Sequence, residues 1–312
     1  MNIAILLATY NSGCHLRELL DSLLAQTYQN FICYVHDDGS IDSTNEILKE
    51  YEHNYKDKFL VLNYPPTGSS KANFMSMLHY VEEPYVMFCD QDDIWLNNKI
   101  ELSLQKIKEI EKKNPSKAVL VFSDLIVVDN RLKVISKSFM KYTGLNPKNV
   151  SINHLLVENV VAGCTIIMNK RLCIATRRLN DYSNIMMHDL WCALVAAAIG
   201  VIGYINEPLI LYRQHNHNVK GAEAELSLFM RVLIILKQIM KGNLVCSNKN
   251  WHKLFRIQAE ELLKLPELPK STRDLCFKFA HVYSLSKIGR IRFYVKNNIR
   301  REKRNFWLLL WC

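Results

Sequence analysis

The sequence predicts an α/β fold with a mostly parallel sheet and helices on both faces, followed by a helical, basic C-terminal region. Over the first 130 residues, short apolar segments alternate with helical patterns, and the apolar segments end in polar residues. Alternating strands and helices are typical of parallel sheets. Of the 312 residues, 49% are hydrophobic and 22% are charged, which excludes a disordered chain.

The first half of the chain contains four predicted strands separated by three helices. Leucines at positions 16, 19, 20, 23 and 24 have helical spacing. The segment Asp42-Ser43-Thr44 predicts a cap for the second helix. The predicted strands are NIAILLATY, FICYVHDDGS with acids and a glycine turn at its end, FLVLNYP and YVMFCD, and the predicted helices are HLRELLDSLLAQT, STNEILKEYEH and KANFMSMLHYV.

The second half is less regular. AVLVFSDLIVVD predicts a strand, and VIGYINEPLILYRQH predicts a strand, a turn and a second strand. The apolar segment HDLWCALVAAAIG predicts a helix that opens just after His188-Asp189. Residues 225–242 and 275–289 have helical patterns.

Charge separates the chain into two predicted units. Residues 1–222 contain 22 Lys and Arg against 23 Asp and Glu, whereas residues 223–312 contain 18 against 7. We therefore predict a near-neutral domain over 1–222 and a helical region over 223–312 that meets an anionic partner. Cationic residues beside tryptophan and leucine favour an anionic membrane surface. A helical lid with a solvated basic face and an oligomer contact are alternatives; nucleic acid is not expected, because no reader motif is present.

The nine cysteines indicate a reducing compartment. They are scattered singly, without a C-x-x-C pair, as expected for buried thiols in a cytosolic protein. The N-terminal residues lack the features of a signal peptide, and no uncharged apolar segment reaches the length that spans a bilayer. We predict a cytoplasmic protein that lies peripherally on the inner face of the cell membrane.

Polar residues follow three of the predicted strands. They are Thr9-Tyr10-Asn11, Asp37-Asp38-Gly39-Ser40 and Asp90-Gln91-Asp92-Asp93. In parallel sheets the carboxyl ends of the strands share one edge, where ligands bind. Carboxylates at such an edge are suited to Mg²⁺ or Mn²⁺ that also binds phosphate oxygens. A solvated acidic turn, or a cap for the following helix, is the alternative for the third segment.

Four motifs together resemble family-2 glycosyltransferases with the GT-A fold. LLATYN, VHDDGSIDST, TGSSKANF and DQDDIW occur in the order and spacing of that family over roughly residues 1–222, and DQDDIW is similar to bacterial rhamnosyltransferases. The resemblance implies inverting, metal-dependent sugar transfer to a cell-surface glycan or a polyprenyl-linked acceptor. L-Rhamnose from a dTDP-linked donor is the favoured substrate, and a UDP-linked hexose is the alternative.

The same resemblance implies roles for the residues of the motifs. Asp38 would accept a hydrogen bond from N3–H of uracil or thymine, a strong pairing for a carboxylate. Asp90 would contact the ribose, and Asp92 would bind the metal. The remaining residues implied at the donor site are Thr9, Tyr10, Asn11, Asp37, Ser40 and Asn73.

The segment MMHDLW supplies the candidate base. Inverting transfer needs one carboxylate to deprotonate the acceptor, and Asp189 matches the position of the family's base. His188 replaces the first acid of the family's acidic pair, and a helix N-cap is the alternative role for Asp189. We assign His188, Asp93 and Trp95 to the acceptor side, with capping of the following helix as the alternative for Asp93 and core packing as the alternative for Trp95.

The segment LYRQHNHNVKG completes the predicted site. By its resemblance to the Arg-x-His pattern of the family, His215 is implied as a metal ligand, and Arg213 is assigned to the donor. A nucleotidyltransferase is disfavoured because ATYNSGCHL, after the first strand, has no Arg or Lys for a phosphate loop. A non-catalytic module that binds nucleotide or nucleic acid is the competing hypothesis from another class.

Overall fold

The computed structural model describes residues 2–179, 181–215 and 246–301. Within these residues one sheet of nine strands has the order β3-β2-β1-β4-β8-β6-β9-β5, and β7 pairs with β6. The strands are β1 (Ile3–Thr9), β2 (Phe31–Asp37), β3 (Phe59–Val61), β4 (Tyr85–Cys89), β5 (Ile94–Trp95), β6 (Ala118–Val128), β7 (Val134–Ser136), β8 (Ile167–Asn169) and β9 (Gly200–Arg213).

Eleven α-helices occur within the same residues. They are α1 (Leu16–Leu24), α2 (Thr44–Asn54), α3 (Ser70–Met77), α4 (Lys99–Lys113), α5 (Phe139–Thr143), α6 (Ile152–Leu155), α7 (Lys170–Thr176), α8 (His188–Ile199), α9 (Cys246–Leu263), α10 (Lys270–Ala280) and α11 (Lys287–Lys296). Among the described residues, none of the helices combines the length and the apolar composition needed to cross a membrane.

The first four strands form the parallel part of the sheet. β1 lies between β2 and β4, with Thr9 opposite Asp37 and Leu7 opposite Cys89. The carboxyl ends of these three strands therefore share one edge. Beyond β4 the sheet is mixed, because β8 runs antiparallel to both β4 and β6. The predicted α/β fold class is confirmed, and β6 and β9 form a further parallel pair beyond β8.

Helices cover both faces of the sheet, because alternate residues of the buried strands point to opposite sides. On one face, Leu16 and Leu19 of α1 share a core with Ile100 of α4. On the other face, Phe74 of α3 and Trp191 of α8 belong to a second core.

Three predicted elements differ in their details. The helical pattern over 275–289 is interrupted, because α10 ends at Ala280 and α11 begins at Lys287. The segment predicted as strand, turn and strand is one continuous strand, β9, in which the register shifts between Ile205 and Pro208 opposite β6. A bulge there accommodates the proline without a turn. Helix α8 begins at His188 and not after Asp189, so both residues belong to its first turn.

The C-terminal helices pack on the face of the sheet that carries α8. Phe255, Phe279 and Tyr294 belong to the same core as Trp191. The predicted helix over 225–242 and the predicted domain boundary at residue 222 lie outside the described residues. The division into two domains therefore stays a prediction.

Candidate active site

The carboxyl ends of β1, β2 and β4 are joined by side-chain hydrogen bonds. Thr9 Oγ1 donates to Asp37 Oδ1 at 2.9 Å, and the Asn11 N–H donates to Ser40 Oγ at 2.7 Å. The Tyr10 N–H donates to Gln91 Oε1 at 2.7 Å, and Gln91 Nε2 donates to the Tyr10 carbonyl at 3.1 Å. The three polar segments predicted at separate strand ends therefore form one continuous edge.

Asp37 builds the turn after β2. Its carboxylate accepts hydrogen bonds from the Ser40 N–H at 2.7 Å, from Ser40 Oγ at 2.5 Å and from the Gly39 N–H at 3.1 Å. Gly39 has φ of +92°, a left-handed conformation that favours glycine. These contacts are those of a turn-forming residue.

Asp38 binds the loop that follows β3. It accepts hydrogen bonds from Thr67 Oγ1 at 3.0 Å, from the Thr67 N–H and from the Gly68 N–H at 2.9 Å. A carboxylate has about four lone-pair positions, so acceptor capacity remains for a ligand N–H. The Asp38 N–H donates to the Thr9 carbonyl at 2.9 Å, and the next residue, Tyr10, is 57% exposed, which leaves its ring accessible to a flat ligand.

Asn73 lies inside the protein and not on the surface of the site. It is 1% exposed; its Nδ2 donates to the His36 carbonyl at 3.1 Å, and its Oδ1 lies 3.0 Å from His36 Nδ1. The His36 ring stacks on Tyr64, with 3.5 Å between centroids. The contacts of Asn73 therefore position His36 behind Asp37, and its implied donor role stays a prediction.

The acidic segment after β4 is a turn, because the strand ends at Cys89. The turn brings Asp90 and Asp93 together beside Cys164, with one potential ligand atom of each residue within 4.8 Å of the others. Burial, together with the charges of Asp92 and Asp189, raises the pKa of Asp90 to about 7. Burial also raises the pKa of Asp93 well above its usual value.

Asp92, in the same turn, contacts His215. Asp92 Oδ2 and His215 Nε2 lie 2.6 Å apart, although 123 residues separate them in the chain. The His15 ring stacks against His215, with 5.6 Å between centroids. Carboxylate oxygens and an imidazole nitrogen form a donor set that fits Mn²⁺, and the carboxylates alone fit Mg²⁺. The positive charge of either cation would also offset the crowding of acids in this turn.

Arg213 lies beneath the acidic turn. The residue is 2% exposed, its N–H donates to Asp93 Oδ1 at 3.1 Å, and its Nε donates to the Asp92 carbonyl at 2.9 Å. Its Nη2 forms an ion pair with Glu18 at 2.6 Å. The guanidinium therefore supports the turn from inside the protein, and contact with a donor stays a prediction.

The candidate base, Asp189, occupies the first turn of α8, where a carboxylate interacts favourably with the helix dipole. It is half-buried and close enough to Asp90 for its charge to raise the pKa of that residue. The segment before the helix is held from two sides. Lys71 Nζ donates to the Ile185 carbonyl at 2.6 Å, and the Met186 N–H donates to Gln258 Oε1 of α9 at 3.0 Å.

The three residues assigned to the acceptor side are buried. Asp93 and Trp95 are each 1% exposed, and His188 is 3% exposed. The His188 ring packs against Phe74 and Phe88, with centroids 4.2 and 4.8 Å away. Trp95 occupies a core position, as in the alternative stated for it, and direct acceptor contact stays a prediction for all three residues.

Lys99 is a buried cation below the site. Its Nζ lies 3.5 Å from the centroid of the Trp95 ring and has no hydrogen-bond partner among the described residues. Burial lowers the pKa of Lys99 to about 7. A lysine in the first turn of an amphipathic helix usually predicts a surface position, so the sequence carries no signal for its burial.

Sequence reasoning missed three further residues at the site. His15 lies just after the polar end of β1, a position that could have indicated it. Gln91 stands between the acids, and its position in that segment does not indicate its hydrogen bonds to Tyr10. Cys164 lies in an irregular segment far along the chain, and no local pattern indicates that it meets Asp90.

The comparison with known families agrees with the geometry. Residues 4–164 match the model of glycosyl transferase family 2. The chain is 26% identical to a dTDP-rhamnosyl transferase, RfbG, of Shigella flexneri over 69% of this chain and 74% of that protein. It is 26% identical to the Escherichia coli glucosyltransferase WfgD over 62% of this chain and 69% of that protein.

Solved structures share the fold. The TarS 1–349 structure from S. aureus in complex with UDP aligns with a TM-score of 0.57 at 17% identity, covering 98% of this chain and 78% of that one. A mannosyltransferase from Pyrobaculum calidifontis with GDP-Man and Mn²⁺ aligns with a TM-score of 0.51 at 12% identity, covering 94% and 73%. The fold is GT-A, the protein is a glycosyltransferase that uses a nucleotide sugar, and the chain belongs to glycosyl transferase family 2.

Proposed function

We propose that this enzyme transfers L-rhamnose from dTDP-rhamnose, with inversion, to a glycan or a polyprenyl-linked acceptor in the synthesis of a bacterial surface polysaccharide such as O-antigen or capsule. The observation that carries the proposal is the contact of 2.6 Å between Asp92 and His215, beside the carboxylates of Asp90 and Asp189. Together these side chains would provide metal-binding groups and a base on one edge of the sheet. The similarity to a dTDP-rhamnosyl transferase supports the choice of donor.

In the proposed reaction, Asp189 accepts the proton of the acceptor hydroxyl. The bond from the acceptor oxygen to the anomeric carbon forms as the bond from that carbon to the diphosphate breaks. Because a diphosphate is a good leaving group, no general acid is needed, unlike the paired carboxylates of glycoside hydrolysis. A divalent cation, when bound by Asp92 and His215, would supply positive charge for the diphosphate.

Other side chains would hold the donor. The exposed ring of Tyr10 would contact the base, and the free lone pairs of Asp38 would accept its N3–H. Asp90 would contact the ribose. Thr9, Asp37, Ser40 and Asn73 would act through their hydrogen bonds to the turns, since those bonds occupy their side chains.

A UDP-hexose donor is the second candidate. It is favoured by the similarity to WfgD, named as a transferase from UDP-Glc to a GlcNAc-diphosphoundecaprenol acceptor. That relative also supports a lipid-linked acceptor. Both candidates use a pyrimidine nucleotide, so Asp38 does not discriminate between them.

A donor panel tests the proposal. The purified chain is incubated with dTDP-rhamnose, UDP-glucose, UDP-GlcNAc and GDP-mannose, with Mg²⁺, with Mn²⁺ and with EDTA, and release of the nucleotide diphosphate is measured. We expect turnover of dTDP-rhamnose that EDTA abolishes. If only UDP-glucose is turned over, the proposed donor dTDP-rhamnose is wrong and the UDP-hexose candidate takes its place. Turnover that persists in EDTA would remove the metal from the proposal.

The cellular location is part of the same proposal. The seven cysteines whose side chains the structure describes are free thiols, and six of them are buried, which supports a reducing cytoplasm. A polyprenyl-linked acceptor would place the enzyme peripherally at the inner face of the cell membrane.

A further inference from the structure

We propose that the exposed face of α10 and α11 is the surface by which the enzyme docks on an anionic lipid bilayer. The inference rests on the proposed function in one respect, that a lipid-linked acceptor requires the enzyme to work at a membrane. The surface itself is defined by the exposed apolar and basic residues of these two helices.

Helix α11 has apolar residues on two opposite sides. Phe293 and Tyr294 are buried against the protein, at 8% and 3% exposure. Ile288 and Val295 are 64% and 68% exposed, and Ile291 lies between them at helical spacing. A helix that only covers a core needs one apolar stripe, so packing among the described residues does not explain the ridge formed by Ile288, Ile291 and Val295.

Basic residues flank this ridge. Lys287, Arg292 and Lys296 of α11 are exposed. Arg292 and Lys296 also line a groove of about 360 Å³ between the two helices, which Lys278 of α10 lines from the opposite side. Residues 270–301 contain nine Lys and Arg against a single acid, Asp274.

Several of the other basic residues already have structural roles. Arg290 stacks on Tyr283, Arg301 stacks on Phe255, and Arg273 donates to the Leu263 carbonyl. The remaining ones are exposed: Lys270, Lys278, Lys287, Arg292, Lys296 and Arg300. These side chains are available to lipid phosphates, while the ridge enters the boundary between headgroups and acyl chains.

The combination of an apolar ridge with flanking basic residues favours a lipid bilayer over other partners for this surface. A second copy of the chain would bring like charges face to face, which is unfavourable. A nucleic acid would use the cations but would leave the aliphatic ridge without a partner. An anionic bilayer satisfies both parts of the surface, because it offers phosphates and an apolar interior a few ångströms apart.

Vesicle flotation of the full chain tests the proposal, with phosphatidylglycerol and phosphatidylcholine at about 3:7 compared with pure phosphatidylcholine. We expect binding to the anionic vesicles. I288S/V295S should weaken it by about tenfold, and R292Q/K296Q should weaken it by about 25-fold, since each basic residue contributes about fivefold near an anionic surface. The matched control is V134S/I135S, which removes two exposed apolar residues of β7, at 50% and 48% exposure, and should bind as the wild type does.

Each alternative has its own outcome, and each would overturn the proposal. Wild-type flotation of both variants would mean that another part of the chain binds lipid. A lower melting temperature of I288S/V295S with unchanged flotation would mean that the protein itself covers the ridge. A dimer that dissociates in that variant, measured by sedimentation velocity, would identify an interface between copies. Duplex DNA that competes for the surface and binds it more tightly than the vesicles do would identify a nucleic-acid site.

The experiment also separates this inference from the proposed function. Hydrolysis of the nucleotide sugar in solution should be the same in wild type and in both surface variants. A protein that binds vesicles but turns over no donor would refute the proposed function and leave the docking surface standing. A protein that turns over the donor but does not bind anionic vesicles would refute the docking surface and leave the proposed function standing.

Discussion

Asp92 and His215 come within 2.6 Å of each other at the meeting point of the acidic turn and the end of β9. Removal of the imidazole in His215→Ala should raise the Mn²⁺ concentration for half-maximal activity by about tenfold or more, because loss of even an outer-sphere partner of a metal costs that much. Titration of activity with Mn²⁺, and calorimetry with the nucleotide diphosphate present, measure the change. The exposed His53→Ala is the control, and an unchanged Mn²⁺ requirement in His215→Ala would remove His215 from the metal site.

The base is tested by Asp189→Asn. Transfer should fall by about 10²- to 10⁴-fold, the usual contribution of general base catalysis, while donor affinity stays within about twofold. Rapid-quench turnover and calorimetric donor binding measure the two quantities. Asp181→Asn, at an exposed turn ahead of the same helix, is the matched control. Near-wild-type turnover of Asp189→Asn would assign this carboxylate to helix stability alone.

Gln258 is expected to act as a positioning residue for Asp189. It is 1% exposed and accepts the Met186 N–H at 3.0 Å, so Gln258→Met would leave a part-buried N–H without its acceptor. We expect kcat to fall by about tenfold with little change in the KM for the donor, because the start of α8 would shift and the donor turns would not. Steady-state kinetics and a melting curve measure the effect.

The control for Gln258 is Glu260→Gln, on the exposed side of the same helix. A loss of stability without the selective fall in kcat would show that the hydrogen bond of Gln258 is structural only.

Lys99 should make stability depend on pH. Its pKa is lowered by burial from 10.5 to about 7, so between those values the unfolded chain binds more protons than the folded one. The free energy of unfolding should therefore rise with pH from about 7 to 10, by up to about 1.4 kcal/mol per pH unit, and this contribution is lost as the pH falls through 7. Lys99→Met should remove the rise and be more stable than wild type at pH 6.

Urea unfolding at pH 6, 7, 8 and 9 measures this effect as the difference between variant and wild type. Lys108→Met, on the exposed side of the same helix, should leave the pH dependence unchanged. Parallel curves for Lys99→Met and wild type would mean that Lys99 keeps its proton in the folded protein.

Local patterns were sufficient to predict the half of the fold that contains β1, β2 and β4. Strand and helix periods alternate cleanly up to Cys89, and parallel strands bring their carboxyl ends to one edge. The continuous β9 was not predictable, because a proline such as Pro208 usually indicates a turn. Only the pairing of β9 with β6 shows that a bulge accommodates this proline. The mixed order beyond β4 likewise depends on contacts far apart in the chain.

The site was predictable in the identity of its residues more than in their contacts. The spacing of the motifs and the family resemblance indicated Asp92 and His215 as site residues. These patterns carry no information on whether a side chain is buried. The ion pair of Arg213 with Glu18 joins residues 195 positions apart, and neither residue's neighbours in sequence predict it. Trp95 and His188 are amphipathic side chains that suit a core and a binding surface equally, so only the packed structure places them.

The two hydrogen bonds between Gln91 and Tyr10 give the middle residue of the acidic motif a structural role. The side-chain amide of Gln91 accepts from and donates to the backbone of Tyr10, as a peptide group of a neighbouring strand would. It therefore extends the hydrogen bonding between β1 and β4 past the ends of both strands. A carboxylate at this position would keep the acceptor and lose the donor. In this protein, then, the residue between the two acids of D-x-D holds the end of β1 beside the acidic turn. A substitution made there to alter donor choice would also alter this link between the two segments.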